Sequence, residues 1–195
     1  MGLTAVPKGQ VAAVVTSLEM RSPPPRKPMP DAPLRLDRWR TPAPEKYRAL
    51  FQRVGEPWLW FSRLIMDDAR LIEIIHDDRD EIYAVLDARG IEVGILELDF
   101  REQGQCELGF FGLVPELAGK GYGRWLMAQT LALGWRAGVE RLWVHTCTLD
   151  HPAALGFYRR EGFVPFARSI EMFDDPRIKG YLPREAAPHI PLLET

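Results

Sequence analysis

Short segments with two different periodicities alternate along the chain. Some show apolar and polar residues in alternation, or short apolar runs rich in β-branched and aromatic residues, as in half-buried strands. Others place apolar residues on one face at helical spacing. The predicted strands cover 11–20, 34–39, 81–88, 91–100, 107–114 and 141–148, and a further strand begins at 163. The predicted helices cover 43–54, 57–66, 67–76 and 122–136.

The turns between these segments predict their connections. Arg89-Gly90 is a two-residue hairpin signal, and Gln103-Gly104 turns the chain into the next strand, so residues 81–114 are predicted to form a meander. Six prolines within 21–33 exclude a helix or a central strand there. At 195 residues we expect one domain overall, with an N-terminal strand and linker at 1–33 and the main domain at 34–195. After residue 173 we expect irregular structure packed on the sheet.

The composition of the chain argues against a protein that binds nucleic acid, an anionic membrane or a metal ion. The chain is 46% apolar and 27% charged with a net charge of −2, so it carries no electrostatic signature for nucleic acid or an anionic membrane. Its two cysteines, Cys106 and Cys147, lie in predicted core strands without metal-binding spacing, so buried thiols and no metal site are expected. The first apolar run lacks a basic leader, and a cytoplasmic location is expected.

The segment 106–124, C-E-L-G-F-F-G-L-V-P-E-L-A-G-K-G-Y-G-R, has the composition of a phosphate site. A predicted strand stops at Pro115, a glycine-rich loop follows, and a helix begins near Tyr122. This order places free N–H groups and the positive end of the helix dipole at the loop. Glycine allows close approach of an anion, while Lys120 and Arg124 add charged donors. A loop that only connects strand to helix is the alternative.

Two known phosphate-binding motifs do not match this segment, because their residues are spaced differently. The P-loop requires a Lys-Ser/Thr pair after its last glycine, and Gly121 is followed by Tyr122. The dinucleotide motif G-x-G-x-x-G fits Gly119 and Gly121 but would require glycine where Arg124 stands. A nicotinamide-dependent oxidoreductase is also disfavoured because the preceding strands form a meander rather than a βαβ unit.

A second motif covers 150–163, D-H-P-A-A-L-G-F-Y-R-R-E-G-F. Asp150 or His151 can cap a helix opened by Pro152, and Gly162 occupies the usual position after a helix end. Ala154 and Tyr158 are four residues apart and therefore share one helix face.

Together the two motifs resemble the GNAT N-acetyltransferase superfamily. G-K-G-Y-G-R resembles its acetyl-CoA loop, and 150–163 resembles its segment N-x-x-A-x-x-x-Y-x-x-x-G-F. The chain departs from the family pattern at Ala118, where Gln or Arg is common, and at His151, where Asn is frequent. The resemblance covers 105–173 and implies an α/β (α+β) fold. Its sheet would be mixed and mostly antiparallel, flanked by helices, with a splay between two central parallel strands, 107–114 and 141–148.

The resemblance also implies acetyl-CoA as acyl donor, with its pyrophosphate on backbone amides between Leu117 and Arg124. A backbone N–H near Leu113 would meet the oxyanion. The residues expected at the acyl donor are Phe111, Leu113, Val114, Ala118, Gly119, Lys120, Gly121, Tyr122, Gly123, Arg124, His151, Ala154 and Tyr158.

Acetyl transfer to an amine also needs proton transfers. An amine with a pKa of about 10.4 must lose its proton near pH 7. Glu107 matches the position of a glutamate base in the family, with an ion-paired strand residue as the alternative, and Glu97 and Asp99 are reserve bases or ligands of a cationic acceptor. Tyr158 would protonate the departing thiolate, unless it is only a core aromatic residue. His145 is expected to be a half-buried strand histidine with a satisfied ring.

The acceptor is not determined by the sequence. Trp58 and Trp60 either cover an acceptor pocket or pack in the core. A small molecule, a peptide N-terminus and a lysine side chain all remain open as the acceptor amine, and association into a homodimer remains open as well. The leading hypothesis is therefore an acetyl-CoA-dependent N-acetyltransferase, and the alternative is a CoA-binding regulatory or degenerate module without turnover.

Overall fold

The computed structural model describes residues 2–25 and 27–194. Short 3₁₀ turns occur at Glu56–Trp58 and Pro115–Leu117. The strands and helices are, in chain order, β1 (Gln10–Met20), β2 (Arg35–Trp39), α1 (Pro44–Gly55), α2 (Asp68–Ile75), β3 (Asp80–Leu86), β4 (Glu92–Asp99), β5 (Gln105–Leu113), α3 (Tyr122–Gly134), β6 (Arg141–Cys147), α4 (Ala154–Arg160) and β7 (Val164–Asp174).

The seven strands form one sheet in the order β2-β3-β4-β5-β6-β1-β7. The pair β5–β6 is parallel, and the other five pairs are antiparallel. The parallel pairing joins only 105–107 to 141–143, although both strands continue further, so they separate beyond Glu107 and Trp143. Helix α3 makes the crossover that a parallel pair requires. These observations confirm the predicted mixed sheet with its splay.

The N-terminal strand lies inside the sheet rather than at its edge. β1 pairs with β6 on one side and with β7 on the other, so Ser17 stands opposite both His145 and Ala167. Leu18 and Met20 of this strand are buried in the main core. The proline-rich segment that follows leads to β2 at the opposite edge of the sheet. The proposed boundary at residue 33 stays a prediction.

Two local predictions were wrong. Residues 57–66 do not form a helix, because Leu59 takes a left-handed conformation after the 3₁₀ turn and the chain continues in turns. Leu59 packs under the C-terminal segment, whereas Trp60 packs against Phe51. The β3–β4 connection is also longer than the two-residue hairpin expected at Arg89-Gly90. It spans 87–91, where the carboxylate of Asp87 accepts the N–H groups of Arg89 and Ile91.

The segment after β7 has no helix or strand among its described residues, and it packs on the sheet as expected. Its Leu182, Ala186 and Ala187 form a small core with Val11 and Ala13 of β1. Within this segment, the buried side chain of Arg177 pairs with Asp175 and donates to the backbone oxygens of Ala186, Ala187 and Ile190.

The remaining predictions on location and association have mixed outcomes. Cys106 is buried as expected, whereas Cys147 is only partly buried. In the described parts of the chain, no helix is long and apolar enough to cross a membrane.

β7 is an edge strand that exposes Phe166, Ile170 and Met172. The homodimer stays a prediction, which analytical ultracentrifugation can test.

Candidate active site

The separation of β5 and β6 opens a cleft of about 790 Å³. The strand register places Glu107 and His145 on the α1 face of the sheet, where Phe110 contacts Phe51 of α1. On the opposite face Phe111 contacts Tyr158 of α4. Because residues from both faces line it, the cleft passes through the sheet at the splay.

At one end of the cleft lies the glycine-rich loop. Gly119 and Gly121 have φ of 73° and 80°, a conformation that side chains with a Cβ rarely adopt, and Gly121 directly precedes α3. The N–H groups of Leu117, Ala118 and Arg124 are used in turn hydrogen bonds. Among the described residues, the N–H groups of 119–123 have no hydrogen-bond acceptor. Five consecutive free N–H donors at a helix N-terminus are suited to binding an anion. The segment with free donors is shorter than the predicted segment 117–124.

Most residues predicted at the acyl donor surround this cleft, with two exceptions. Val114 is buried in the core, and Lys120 is exposed outside the cleft. Those that line it are Phe111, Leu113, Ala118, Gly119, Gly121, Tyr122, Gly123, Arg124, His151, Ala154 and Tyr158.

Substituting Gly121 should weaken acetyl-CoA binding. In Gly121→Asp the new carboxylate stands among the free N–H groups and repels a phosphate, so we expect a loss of more than about 2 kcal/mol by calorimetry. Gly90→Asp is the matched control, because Gly90 has a similar φ of 82° with open space around it and lies in the β3–β4 turn. Unchanged affinity in a folded Gly121→Asp variant would contradict the site.

The splay exposes backbone donors of β5. The N–H of Val114 donates to the oxygen of Val93 on β4 at 2.9 Å. Successive N–H groups along a strand point in opposite directions, so the N–H of Leu113 faces the β6 side, where β5 and β6 no longer pair. This is the position predicted for an oxyanion donor.

Helix α4 begins at Ala154, later than Pro152 suggested. Asp150 does not cap it. Its carboxylate instead accepts from Thr146 Oγ1 at 2.7 Å and from the N–H of Cys147 at 2.9 Å at the end of β6. His151 supports the helix start, because its Nδ1 accepts the N–H of Ala153 at 3.1 Å.

Tyr158 borders the cleft from α4. Its ring is 7% exposed and packs against Phe111, Phe157 and Phe163. The hydroxyl has no hydrogen-bond partner among the described residues. Burial, with a smaller contribution from the charge of Asp150, raises the pKa of Tyr158 well above its ordinary value. The phenol therefore keeps its proton throughout the neutral range.

Glu107 and His145 meet where β5 and β6 separate. Glu107 Oε1 lies 3.4 Å from Nδ1 of His145, and the two side chains are 26% and 50% exposed. Contact with Glu107 raises the pKa of His145, burial lowers it, and the charges of Glu107, Asp150 and Glu171 raise it further. The side chain of His145 is therefore half-buried, and its Nδ1 has a carboxylate partner.

The two reserve bases are already engaged. Glu97 is 1% exposed, accepts the hydroxyl of Tyr47 at 2.6 Å and pairs with Arg63. Asp99 is held by Arg101. Both carboxylates border the cleft, but each is already compensated by a guanidinium.

Asp80 is a buried carboxylic acid beside these pairs. It is 3% exposed, and neither of its oxygens has a hydrogen-bond partner within the described part of the chain. Burial, and then the charges of Glu97 and Asp99, raise the pKa of Asp80 to about 9. The folded protein therefore keeps a proton on Asp80 that the unfolded chain loses above about pH 4.

We expect Asp80→Asn to stabilise the protein at pH 7 by about 1–3 kcal/mol, because the amide needs no proton and can donate to the neighbouring carboxylates. The gain should be absent below about pH 4, grow as pH rises and level off near pH 9. Urea unfolding of both proteins at several pH values measures it. A gain that does not vary with pH would contradict the assigned protonation state.

The two tryptophans take different positions. Trp58 lies at the cleft wall between the rings of His151 and His189. Trp60 packs against Phe51 and Phe110 and directs Nε1 to Asp150 at 3.4 Å, so it combines a core role with a place at the cleft.

Several residues that line the cleft were not predicted. Phe110 lies within the segment 106–124 and Arg160 within 150–163, but no role at the cleft was predicted for either. Long-range packing alone brings the others to the cleft. The unpredicted lining residues include Arg63, Arg101, Phe110, Arg160, Glu171 and Phe173. Within the described residues, no group of three or more His, Cys, Asp or Glu side chains is arranged to hold a metal ion.

Three solved structures with similar folds are distant from this chain in sequence. A GCN5-related N-acetyltransferase from Sphaerobacter thermophilus shares 17% identity, covering 87% of this chain and 53% of its own, with a TM-score of 0.58. A GNAT-family acetyltransferase from Novosphingobium aromaticivorans shares 20% identity over 87% of this chain and 69% of its own, with a TM-score of 0.54. This chain thus spans about half the length of the first of these two.

A third similar structure is an aminoglycoside acetyltransferase from an uncultured soil metagenomic sample, in complex with sisomicin. It shares 18% identity over 66% of this chain and 87% of its own, with a TM-score of 0.54. At these identities the likeness shows the fold alone. No curated protein sequence matches the chain.

The family model described as "Acetyltransferase (GNAT) family" matches residues 18–163, which include the splay, the glycine-rich loop and α4. The chain therefore belongs to the acetyltransferase (GNAT) family.

Proposed function

We propose that this protein is an acetyl-CoA-dependent N-acetyltransferase that acetylates a primary amine by direct attack. The observation that carries the proposal is the row of free N–H groups at 119–123, at one end of a cleft that also exposes Glu107 and Tyr158. Membership of the GNAT family supports the same reaction class.

The glycine-rich loop fits the pyrophosphate of the acyl donor. Its free amides and the N-terminus of α3 supply donors and positive potential, and the side chains of Arg124 and Arg160 line the same cleft. Ala118 provides no side-chain donor, so the backbone carries this contact. When bound, acetyl-CoA supplies an activated thioester carbonyl at the splay.

Three groups of this chain would then act on the reacting atoms. The carboxylate of Glu107 promotes removal of the amine proton, on the α1 side of the sheet. The N–H of Leu113 donates to the carbonyl oxygen as it becomes negative. The hydroxyl of Tyr158, which borders the cleft and has no hydrogen-bond partner among the described residues, donates a proton to the departing sulfur.

We propose a small-molecule amine as the acceptor, with a peptide amine as the alternative. Trp58 and Phe110 line the cleft with apolar rings, which suits the body of a small molecule. Glu107 and Glu171 add negative charge that favours an ammonium group. The similar aminoglycoside acetyltransferase, solved with sisomicin, supports this choice. We also propose a reducing, cytoplasmic location, because both cysteines are free thiols.

Release of free thiol from acetyl-CoA, measured against a panel of small-molecule and peptide amines, tests the proposal. We expect release that depends on the amine, with the acetylated product identified by mass spectrometry. Tight acetyl-CoA binding without release for any amine would favour the alternative, a CoA-binding module without turnover. Absence of binding would overturn both.

A further inference from the structure

The pair Glu107–His145 occupies the point where the two central strands part. Glu107 is the last residue of β5 that pairs with β6, and His145 lies two residues beyond its counterpart Trp143 on β6. Both side chains line the cleft. They therefore stand at the splay, on the α1 face of the sheet.

The orientation of the imidazole leaves one nitrogen available. Nδ1 faces the carboxylate of Glu107 at 3.4 Å, and Nε2 has no hydrogen-bond partner among the residues that the structure describes. A carboxylate beside Nδ1 favours the tautomer with the proton on that atom, so the lone pair lies on Nε2. The contact is longer than a well-formed hydrogen bond, as is common for catalytic contacts in free enzymes.

We propose that His145 accepts the proton of the amine on Nε2, and that Glu107 acts as the positioning residue that holds Nδ1–H. This inference rests on the proposed function and specifies the route of its first proton. It assigns a role to a strand histidine that neither family motif contains.

The proton and electron balance closes without a further reactant. An ammonium group gives one proton to Nε2, and the freed lone pair of the nitrogen forms the C–N bond to the thioester carbonyl. The C–S bond breaks with its electron pair on sulfur. The sulfur takes a proton from the hydroxyl of Tyr158, which recovers it from the second proton of the attacking nitrogen. The proton on His145 is released to solvent, so one proton is released per turnover.

Imidazole chemistry suits this step better than an isolated carboxylate. A base is most effective when its pKa lies near the working pH, and an unperturbed histidine titrates at about 6.5, whereas glutamate titrates at about 4.3. The charged groups around the ring are Glu107 on β5, Asp150 after β6 and Glu171 on β7, and all three favour the protonated ring. Ser17, opposite on β1, is uncharged, and Glu19 further along that strand is paired with Arg21 and Arg141.

The first test needs no catalysis. The imidazole of His145 is titrated by NMR in the wild-type protein and in Glu107→Gln, with His145→Gln used to assign its signal. We expect a pKa above the ordinary histidine value in the wild type and a fall of roughly half a unit or more in Glu107→Gln. The NMR signal of His76, which contacts the oxygen of Pro42 away from the cleft, should be the same in both proteins and serves as the control. An unchanged pKa of His145 would overturn the inference.

The second test measures the pH dependence of kcat/KM with an active amine. His145→Gln should lower kcat/KM at pH 7 by about 10²–10⁴-fold and recover as the pH approaches the pKa of the amine. His76→Gln, which keeps a donor for Pro42, should match the wild type. A wild-type profile for a folded His145→Gln would overturn the inference alone, whereas no thiol release by the wild type would overturn the proposed function on which it rests.

Discussion

Glu107→Gln should lower kcat/KM at neutral pH by about 10²–10⁴-fold, the usual range for general acid–base catalysis. The variant keeps the size of the side chain and removes its charge, so the amine loses the group that draws its proton, whether directly or through His145. An amine with a pKa of about 10.4 is almost wholly protonated at pH 7. The loss should therefore shrink as pH rises, because the amine then deprotonates without help.

A pH–rate profile measures this effect, with acetyl-CoA binding determined alongside. Glu107 lies near the start of β5, whereas the glycine-rich loop follows the end of that strand, so donor affinity should not change. Glu73→Gln is the matched control, since Glu73 is an exposed residue of α2 paired with Arg70. A wild-type profile for Glu107→Gln would contradict a role of Glu107 in deprotonating the amine, whether directly or through His145. Glu97 and Asp99 are poor substitutes, because each is held by an arginine.

Tyr158→Phe should slow the chemical step by a comparable factor, about 10²–10⁴-fold, while acetyl-CoA still binds. The substitution keeps the ring that packs against Phe111, Phe157 and Phe163 and removes only the hydroxyl. Because the pKa of Tyr158 is raised well above its usual range, the hydroxyl stays a donor at all neutral pH values. Higher pH should not rescue this variant, because departure of the thiolate is the impaired step rather than deprotonation of the amine.

Single-turnover kinetics with a saturating donor isolate the chemical step. Tyr181→Phe is the control, because Tyr181 is an exposed tyrosine of the C-terminal segment. Wild-type rates for Tyr158→Phe would show that Tyr158 only packs in the core and does not donate a proton. Opposite responses of Glu107→Gln and Tyr158→Phe to rising pH would separate amine activation from thiol protonation.

Local chemistry was sufficient to predict the glycine-rich loop and α3. The signals there are local: glycines that adopt positive φ, a proline that ends a strand, and apolar residues at helical spacing. Each depends on only a few neighbouring residues, so the sequence predicted the order strand, loop and helix. The parallel pairing of β5 and β6 followed from the crossover helix between them. The roles of Glu107 and Tyr158 were assigned by resemblance and remain proposals.

Long-range packing decided the position of β1 in the sheet and the conformation of residues 57–66, which local patterns did not predict. The position of β1 between β6 and β7 depends on pairing between residues more than a hundred positions apart, and its alternating pattern fits an edge or a central strand equally well. Residues 57–66 had helical periodicity, but burial of Leu59 and Trp60 in different clusters overrode it.

The same distinction holds within the site. The sequence by itself determined that a strand, a phosphate-binding type of loop and a helix follow one another, because those signals are local. Only the tertiary structure brought Arg63 to Glu97 and His145 to Glu107, since a charged side chain carries no local signal of its partner on another strand. The fold therefore decided that the charge of Glu97 is compensated by Arg63, whereas the carboxylate of Glu107 remains available in the cleft.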